Sequence, residues 1–468
     1  MQVRKSAPRD RYQAFVRKDL MSLSQFHHLD PDERLAMLAV SAVLPFRTNP
    51  YVIEELIDWD DIPDDPIYQL TFPQRGMLPE SDFDRMVDLI QRGAPSTDLK
   101  SAANEIRYRL NPHPAGQIQH NVPHYKGKPI PGMQHKYWDT VLFFPTQGQT
   151  CHAFCTYCFR WAQFVGIEDL KFSSHEADLL HAYLRENTEV HELLMTGGDP
   201  MVMRTTHLRR YIKPLLEPGF DHIRHIRIGT KAPAWWPHRF TCGEDADDFL
   251  RLIEEIRSAG KLASIVAHYS HPVELSTSVA RDAVRRIQDA GGIIRTQAPI
   301  IRHVNNSASI WAELWTTQTA LGCVPYYMFV ERDTGAKDYF SVPLARVLRI
   351  FRKASRSVSG HCRTVRGPCM SALAGKVMID GVTEVNGEKV FVFKMLRGRN
   401  PKWERKPFFA RYSETATWLD DLEPAFGQDK FYYEDELQAL LKNGFRQSVR
   451  GGKEIAHCGE VSRARRSV

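Results

Sequence analysis

Three of the chain's eight cysteines stand within eight positions of one another, in the stretch TCHAFCTYCFRW. Three residues separate Cys151 from Cys155, and two separate Cys155 from Cys158. Thiolates bind iron and zinc, and a loop with these spacings can wrap one corner of a cuboidal iron–sulfur cluster. Three protein ligands leave the fourth iron open for a small molecule. The other five cysteines are scattered, which argues against a disulfide framework.

Zinc is the alternative metal for these thiols. A structural zinc ion requires a fourth protein ligand, for which His135 and His152 are the candidates. The spacing of the cysteines, and their position directly after a predicted strand, favour iron and sulfide over zinc. Cys458 has no partner by spacing, so we expect no second metal site near the C-terminus.

The elements that must position this loop begin near residue 139. From there, short β-branched or aromatic runs alternate with amphipathic helical patterns, and the connections are long enough for parallel crossovers. Six runs are predicted to be strands: TVLFF (140–144), ELLMT (192–196), HIRIG (225–229), LASIVA (262–267), GIIRTQ (292–297) and VPYYMFV (324–330). We therefore predict an α/β fold, an open partial (β/α)6 barrel with its chemistry at the carboxyl ends of the strands.

Four regions are expected along the chain. Residues 1–138 are predicted to be an N-terminal helical extension of helices and loops, and 139–344 the barrel core. Residues 345–450 are predicted to be an α+β C-terminal segment with a basic helix, a Gly/Pro/Cys-rich loop and a hairpin with an Asn-Gly turn. Residues 451–468 form a basic tail, whose composition indicates a flexible segment.

The overall composition narrows the choice of partners. The 468 residues are 43% hydrophobic and 25% charged, with a formal net charge of +6, which fits an anionic ligand as well as nucleic acid. No apolar run approaches the ~18 residues of a membrane-spanning helix, and the N-terminus lacks the apolar segment of a secretory signal. We therefore expect a cytoplasmic protein with reduced thiols, no membrane association and no nucleic-acid partner.

Eight stretches together resemble the lysine 2,3-aminomutase family of the radical S-adenosylmethionine (radical SAM) superfamily. They are HKYWDTVLF (135–143), CHAFCTYCFR (151–160), LLMTGGDP (193–200), RIGTKAPAWWPHR (227–239), HYSHPVEL (268–275), RTQAPIIRHVNN (295–306), VPYYMFV (324–330) and SGHCRTVRGPCMSALAGK (359–376). The resemblance implies three cofactors: a [4Fe-4S] cluster on the three cysteines, S-adenosyl-L-methionine on its open iron, and pyridoxal 5′-phosphate. It also implies that Gly197, Gly198 and Asp199 bind S-adenosylmethionine, through close backbone approach and a carboxylate–ammonium pair.

The resemblance also assigns the pyridoxal phosphate site. In the family, the lysine that binds this cofactor covalently lies sixteen residues past a glycine that corresponds to Gly360, which makes Lys376 the catalytic lysine. The family's two phosphate-binding arginines correspond to Lys136 and Thr140, so one positive charge is lost. The remaining residues expected to contact cofactors are Tyr137 and Gln297.

Three further positions are expected to contact the substrate. Arg160 occupies the place where the family binds the substrate α-carboxylate, which a guanidinium matches in bidentate geometry. The two acids that hold the ε-ammonium in lysine-specific members correspond to Arg332 and Cys369. Arginine repels an ammonium and attracts a carboxylate, so we predict a substrate other than free lysine, as in the glutamate-handling branch. Two alternatives stay open: a one-residue shift restores Glu331 or Asp333, and an ion pair with Asp333 would neutralise Arg332.

The implied activity is that of an isomerase. It would move the α-amino group of a small amino-acid substrate from C2 to C3, using pyridoxal phosphate and a 5′-deoxyadenosyl radical. The implied partners are an electron donor such as flavodoxin or ferredoxin, and further copies of the chain in a homo-oligomer. The alternatives are an aminomutase for protein-bound lysine, a radical SAM enzyme without pyridoxal phosphate, and a zinc-stapled nucleic-acid-binding protein that uses Phe159 and Trp161. Trp235 and Trp236 are expected to pack in the core rather than to recognise a ligand.

Overall fold

A computed structural model describes residues 3–5 and 11–443 of the chain. Cys458 and the predicted basic tail lie outside the described residues. Eleven strands form one sheet and are numbered here in chain order. They are β1 (Met133–Tyr137), β2 (Thr140–Phe143), β3 (Glu192–Met195), β4 (His225–Thr230), β5 (Leu262–His268), β6 (Ile293–Ile300), β7 (Val324–Val330), β8 (Arg366–Ser371), β9 (Gly375–Val385), β10 (Glu388–Gly398) and β11 (Pro407–Arg411).

Seven neighbouring strands, β2 to β8, run parallel in the order in which the chain visits them. All six predicted strands are among them, which confirms a mixed α/β fold with a largely parallel sheet. The expectation of a loop at β8 is wrong. Its residues lack a strand-like alternation, but Arg366 and Cys369 pair with Tyr327 and Phe329 of β7, so tertiary pairing overrides local propensity.

Antiparallel strands flank the parallel block on both sides. The predicted hairpin joins β9 to β10, where Asn386 and Gly387 have φ values of 52° and 81°, as a tight two-residue turn requires. On the other side β1 pairs with β2, so the expectation of only helices and loops up to residue 138 is wrong. The sheet crosses the expected boundaries at 138 and 344, and the division into domains stays a prediction.

The two ends of the sheet approach each other. Lys136 in β1 donates a hydrogen bond from Nζ to the carbonyl of Ala372, which follows β8. Near the end of β10, Arg397 Nη1 donates to Oδ2 of Asp139, in the turn before β2, at 3.2 Å. Contacts between strands so distant in the sheet order require a curved sheet, whose concave side holds residues from both ends.

Helices surround this sheet. They are Pro31–Val43, Pro66–Thr71, Glu80–Gln91, Ser96–Arg109 and Gln117–Asn121 before it, then Ala177–Glu186, Thr205–Ile212, Ala232–Trp235, His238–Thr241, Ala246–Ser258, Ser278–Asp289, Ala308–Ala320, Lys337–Phe340 and Leu344–Arg356, and finally Glu434–Asn443. The first begins with a capping box, in which the Asp30 carboxylate accepts from the Glu33 amide at 2.8 Å and the Glu33 carboxylate accepts from the Asp30 amide at 3.1 Å. In the part of the chain that the structure describes, no helix has the length and apolar character needed to cross a membrane.

Candidate active site

The cysteine loop follows β2 and is fastened by the N-terminal extension. The Asn49 side-chain amide donates to the His152 carbonyl at 3.0 Å, and Arg47 Nη1 donates to the Cys151 carbonyl at 3.3 Å. In return, the Phe154 amide donates to the Arg47 carbonyl at 2.8 Å. These contacts fix the backbone of the loop, so the thiols project from a constrained segment.

The three thiols of this loop are free and partly exposed. Burial, and then the nearby Cys155 thiol, raise the pKa of Cys158 to about 12, so the loop brings the thiols close together. Within residues 3–5 and 11–443, no three His, Cys, Asp or Glu side chains are arranged around a single metal ion. His135, a candidate zinc ligand, has both ring nitrogens committed elsewhere, to the Tyr183 hydroxyl at 2.7 Å and the Trp138 carbonyl at 3.2 Å.

Gly197 and Gly198 follow β3 and pack against the cysteine loop. A Cβ on Gly198 would lie 2.4 Å from the carbonyl oxygen of Thr150, and one on Gly197 would lie 2.3 Å from Nε2 of Gln149. At Gly198 only glycine permits this approach of two backbones, whereas at Gly197 a φ of 149° favours glycine. The close approach predicted for these glycines is therefore made to the cysteine loop in the structure, and their contact with S-adenosylmethionine stays a prediction.

Asp199 joins the cysteine loop to β4. Its carboxylate accepts from the Thr230 hydroxyl at 2.6 Å, from the Lys231 amide at 2.8 Å and from the Met201 amide at 2.9 Å. Its own amide donates to the Thr150 carbonyl at 2.6 Å. Burial raises the pKa of Asp199, although these donors oppose the shift. Protein donors therefore already contact the carboxylate, and its predicted pairing with a ligand's ammonium stays a prediction.

A buried ion pair beside the cysteine loop was not among the predicted site residues. Lys231 Nζ lies 2.5 Å from Oε1 of Glu274, whose side chain is fully buried. Glu274 also accepts from the His271 amide at 3.1 Å. The Lys231 charge lowers the pKa of Cys155, although burial, the larger effect, raises it. Lys231 directly follows β4, and this position at the carboxyl edge of the sheet was the signal that could have found it.

Arg160 and Arg332 have guanidinium nitrogens that are buried without a partner. In each residue, Nε and Nη2 lack a hydrogen bond. Arg160 lies over the Phe144 ring, 4.1 Å from its centroid, and burial lowers its pKa to about 10. Arg332 forms no salt bridge with Asp333 among the described residues, but burial lowers the pKa of Arg332 and the nearby charges of Asp333 and Glu331 raise it. Buried guanidinium groups with free donors are suited to bind carboxylates.

Lys376 lies at the start of β9, immediately beyond β8. Its Nζ is 4.1 Å from the ring centroid of Tyr327 and 5.5 Å from that of Phe329. Burial lowers the pKa of Lys376 to about 8, although the nearby Cys369 thiol opposes the shift. A lysine amine that is partly neutral near pH 8 can attack an aldehyde.

Lys136 adds positive charge to the surroundings of Lys376. Burial, and then the charges of Arg399, Arg332 and Lys376, lower the pKa of Lys136 well below its usual range. Thr140, at the position of a family arginine, is uncharged, and its hydroxyl donates to the neighbouring carboxylate of residue 139 at 2.8 Å. Four cationic side chains therefore influence one another on this side of the site.

Two arginines at the end of β10 were also not among the predicted site residues. Arg397 pairs with Asp139, and its Nε lies 3.2 Å from Oε1 of Glu404. Arg399 is buried, and it donates to the Leu373 carbonyl at 2.8 Å and to Oδ1 of Asn121 at 2.6 Å. The linear sequence gives no sign of these residues, because only the curvature of the sheet brings β10 to β1.

Tyr137, Gln297 and Cys369 complete the set of predicted residues. Tyr137 ends β1, and its ring centroid lies 5.3 Å from the Arg397 guanidinium. Gln297 Nε2 lies 2.6 Å from Nε2 of His268, at the carboxyl end of β5. Cys369 is fully buried in β8, and burial raises its pKa to about 12, so it supplies no negative charge to hold an ammonium.

Comparisons with known proteins support one family. No protein-family model matches the chain. A putative L-lysine 2,3-aminomutase from Aquifex aeolicus (strain VF5) is 29% identical over 405 residues, which cover 86% of this chain and 94% of that protein. L-lysine 2,3-aminomutases from Acetoanaerobium sticklandii and Clostridium subterminale are 25% and 24% identical over 59% of this chain, but these alignments span only 63% and 62% of the relatives.

A comparison with solved structures adds little. A radical SAM methyltransferase from Sphaerobacter thermophilus aligns with a TM-score of 0.34 and 14% identity, over 50% of this chain and 68% of that one. This likeness is too low to support an argument about fold or function. The alignment with the Aquifex aeolicus protein covers 86% of the chain and so includes the cysteine loop, the parallel sheet and the segment of Lys376. The chain is therefore similar to L-lysine 2,3-aminomutases over most of its length.

Proposed function

We propose that this isomerase moves the α-amino group of an acidic amino acid from C2 to C3. The observation that carries the proposal is the surplus of buried positive charge around Lys376. Lys136 and Arg332 on this side, and Arg160 after the cysteine loop, form no salt bridge among the described residues. Such charge is costly to bury unless anions bind to it. Pyridoxal phosphate and a dicarboxylic substrate would supply these anions.

The cysteine loop fits an iron–sulfur cluster. Its donor set is three thiols on one short loop, which is the chemistry that such a cluster requires. When bound, the reduced cluster and S-adenosylmethionine supply a hydrogen-abstracting radical, and pyridoxal phosphate supplies a carrier for the migrating amino group. Cys151, Cys155 and Cys158 would hold the cluster, and an electron donor such as flavodoxin or ferredoxin would reduce it.

The residues around Lys376 fit pyridoxal phosphate. Lys376 presents a partly neutral amine over Tyr327, and Lys136 presents a charge suited to a phosphate. Thr140 is uncharged where the family has an arginine, and the charge of the buried Arg399 acts on Lys136 on this side of the site. These residues bind and orient the cofactor, and the aromatic rings exclude water from the amine.

Two arginines would orient the substrate. Arg160 follows the cysteine loop and is placed to hold the α-carboxylate, with Nε and Nη2 available. Arg332 follows β7 and has the same two nitrogens available, so it would hold a second carboxylate on the substrate side chain. A lysine substrate would instead bring an ammonium towards Arg332, and like charges in a buried site repel strongly.

A screen of amino acids tests this proposal. The iron-loaded, dithionite-reduced protein is incubated with S-adenosylmethionine, pyridoxal phosphate and one amino acid, and deoxyadenosine and the amino-acid isomers are separated by chromatography and measured. We expect glutamate to give its β-amino isomer, whereas lysine gives none. Arg332→Gln is expected to abolish this preference, and Arg349→Gln, an exposed residue paired with Glu414, serves as the control. A response to lysine alone would contradict the proposed substrate class.

A further inference from the structure

We infer that Trp235 is a positioning residue that raises the reduction potential of the cluster through a hydrogen bond to a ligand sulfur. The inference rests on the proposed function, since it assumes that the cysteine loop holds a cluster. Trp235 Nε1 donates to the Sγ of Cys155 at 3.4 Å. Hydrogen bonds to ligand sulfurs are among the features by which proteins set cluster potentials. The expectation that this tryptophan only packs in the core therefore misses a polar contact.

The indole is held firmly against the cysteine loop. Trp235 ends the short helix Ala232–Trp235 and is almost fully buried, with 1% of its surface exposed. The side-chain amide of Asn49 donates to two carbonyls at once, that of Trp235 and that of His152 in the loop, each at 3.0 Å. One buried side chain thus fixes the donor and the ligand loop relative to each other, so the N–H···S contact is built into the fold.

A cation on the face of the indole strengthens the donor. Lys231 Nζ lies 4.4 Å from the Trp235 ring centroid and is anchored by Glu274 at 2.5 Å. Positive charge on the π face polarises the ring and makes its N–H a better donor. Glu274, Lys231 and Trp235 thus form a chain of contacts that ends at a sulfur. A stronger donor stabilises the reduced cluster, whose sulfurs carry more negative charge, and so raises its potential.

The neighbouring tryptophan provides a matched control. Trp236 is as buried as Trp235, with 3% of its surface exposed, but its ring contacts are with Tyr12 and His238, at centroid distances of 5.3 and 4.9 Å. Replacing either indole by phenylalanine removes similar core volume. Only one replacement removes a donor to a cysteine sulfur, so the pair separates loss of packing from loss of the hydrogen bond.

The test is a redox titration of reconstituted Trp235→Phe and Trp236→Phe, followed by electron paramagnetic resonance of the reduced cluster. We expect a more negative midpoint potential for Trp235→Phe and a potential close to wild type for Trp236→Phe. Trp235→His, which keeps a ring N–H, is expected to recover part of the shift. Loss of the cluster from Trp235→Phe alone would also support its positioning role.

Two results would contradict the inference. They are an unchanged potential in cluster-loaded Trp235→Phe, and equal shifts in both phenylalanine variants. Failure of the proposed function is distinguishable from these, because the wild-type protein would then take up no cluster or would give no aminomutase product.

Discussion

The cysteine loop and the surroundings of Lys376 differ in how their charges are compensated. Around the loop, protein partners satisfy the buried charges except that of Arg160: Asp199 accepts from the Thr230 hydroxyl and from the Met201 and Lys231 amides, and Lys231 pairs with Glu274. Around Lys376, Lys136 is held only by a carbonyl and Arg332 has unpartnered nitrogens. The first region is organised by the chain itself, whereas the second has positive charge that folding does not require. Charge of this second kind marks a place for anionic ligands.

The largest expected effect is at the cysteine loop. Cys155→Ala removes one of three thiol ligands, and we expect the protein to retain almost no iron after anaerobic reconstitution, because two thiols on one loop cannot hold a cuboidal cluster. Iron and sulfide content per chain checks this. Cys323→Ala, which changes a buried thiol just before β7, should load like wild type. Full iron uptake by Cys155→Ala would mean that the loop does not hold the cluster in this way.

The next effect is at Lys376, the lysine proposed to bind pyridoxal phosphate. Lys376→Ala should lose the borohydride-trapped adduct with pyridoxal phosphate, which mass spectrometry of the peptides detects, because the nucleophilic amine is gone. Lys394→Ala is the matched control, since Lys394 lies on β10 and pairs with Asp380 at 2.7 Å outside the site. An adduct that persists in Lys376→Ala would show that pyridoxal phosphate binds a different residue.

Asp199 and Arg332 should respond to substitution with opposite signs. Asp199→Ala orphans three buried donors and is expected to lower the free energy of unfolding by about 3 kcal/mol. Asp248→Ala, at a partly exposed ion pair with Arg209, should cost less than about 1 kcal/mol. Denaturant unfolding of the cofactor-free proteins measures both changes. Equal losses in the two variants would contradict a structural role for Asp199.

Arg332→Met should stabilise the cofactor-free protein by about 2 kcal/mol, because it replaces a guanidinium whose buried Nε and Nη2 lack hydrogen-bond partners by an apolar side chain. The same variant should lose its preference for acidic substrates. Denaturant unfolding of this variant beside wild type measures the stability change. A loss of stability would show that Arg332 has a partner within the fold, and the contrast between the two regions would then fail.

The smallest effect concerns pH. Burial lowers the pKa of Lys376 from 10.5 to about 8, so the folded state binds fewer protons than the unfolded state between these values. The free-energy cost of burying the charged lysine is present in full below pH 8, and this cost disappears as the pH rises towards 10.5. The stability advantage of Lys376→Met over wild type should therefore shrink across this range, as unfolding at several pH values can show. A gap independent of pH would contradict the lowered pKa.

The sequence predicted the framework well because its signals are local. The six strands have β-branched or aromatic runs, and the three cysteines are recognisable by their spacing. The strand at Arg366–Ser371 was missed because its Gly and Pro residues resemble a loop and only pairing with β7 makes it a strand. The protein donors that contact Asp199 were missed for a related reason, as was the ion pair of Lys231 with Glu274. Their roles depend on partners 31 to 43 residues apart in sequence, which a linear pattern does not reveal.

The most direct test of the account is the release of 5′-deoxyadenosine from S-adenosylmethionine by the iron-loaded, dithionite-reduced protein. We predict that the wild-type protein forms deoxyadenosine, that the amount rises when an acidic amino acid and pyridoxal phosphate are present, and that Cys151→Ala, Cys155→Ala and Cys158→Ala form none. A wild-type protein with a full load of iron and sulfide that leaves S-adenosylmethionine intact would contradict the central claim.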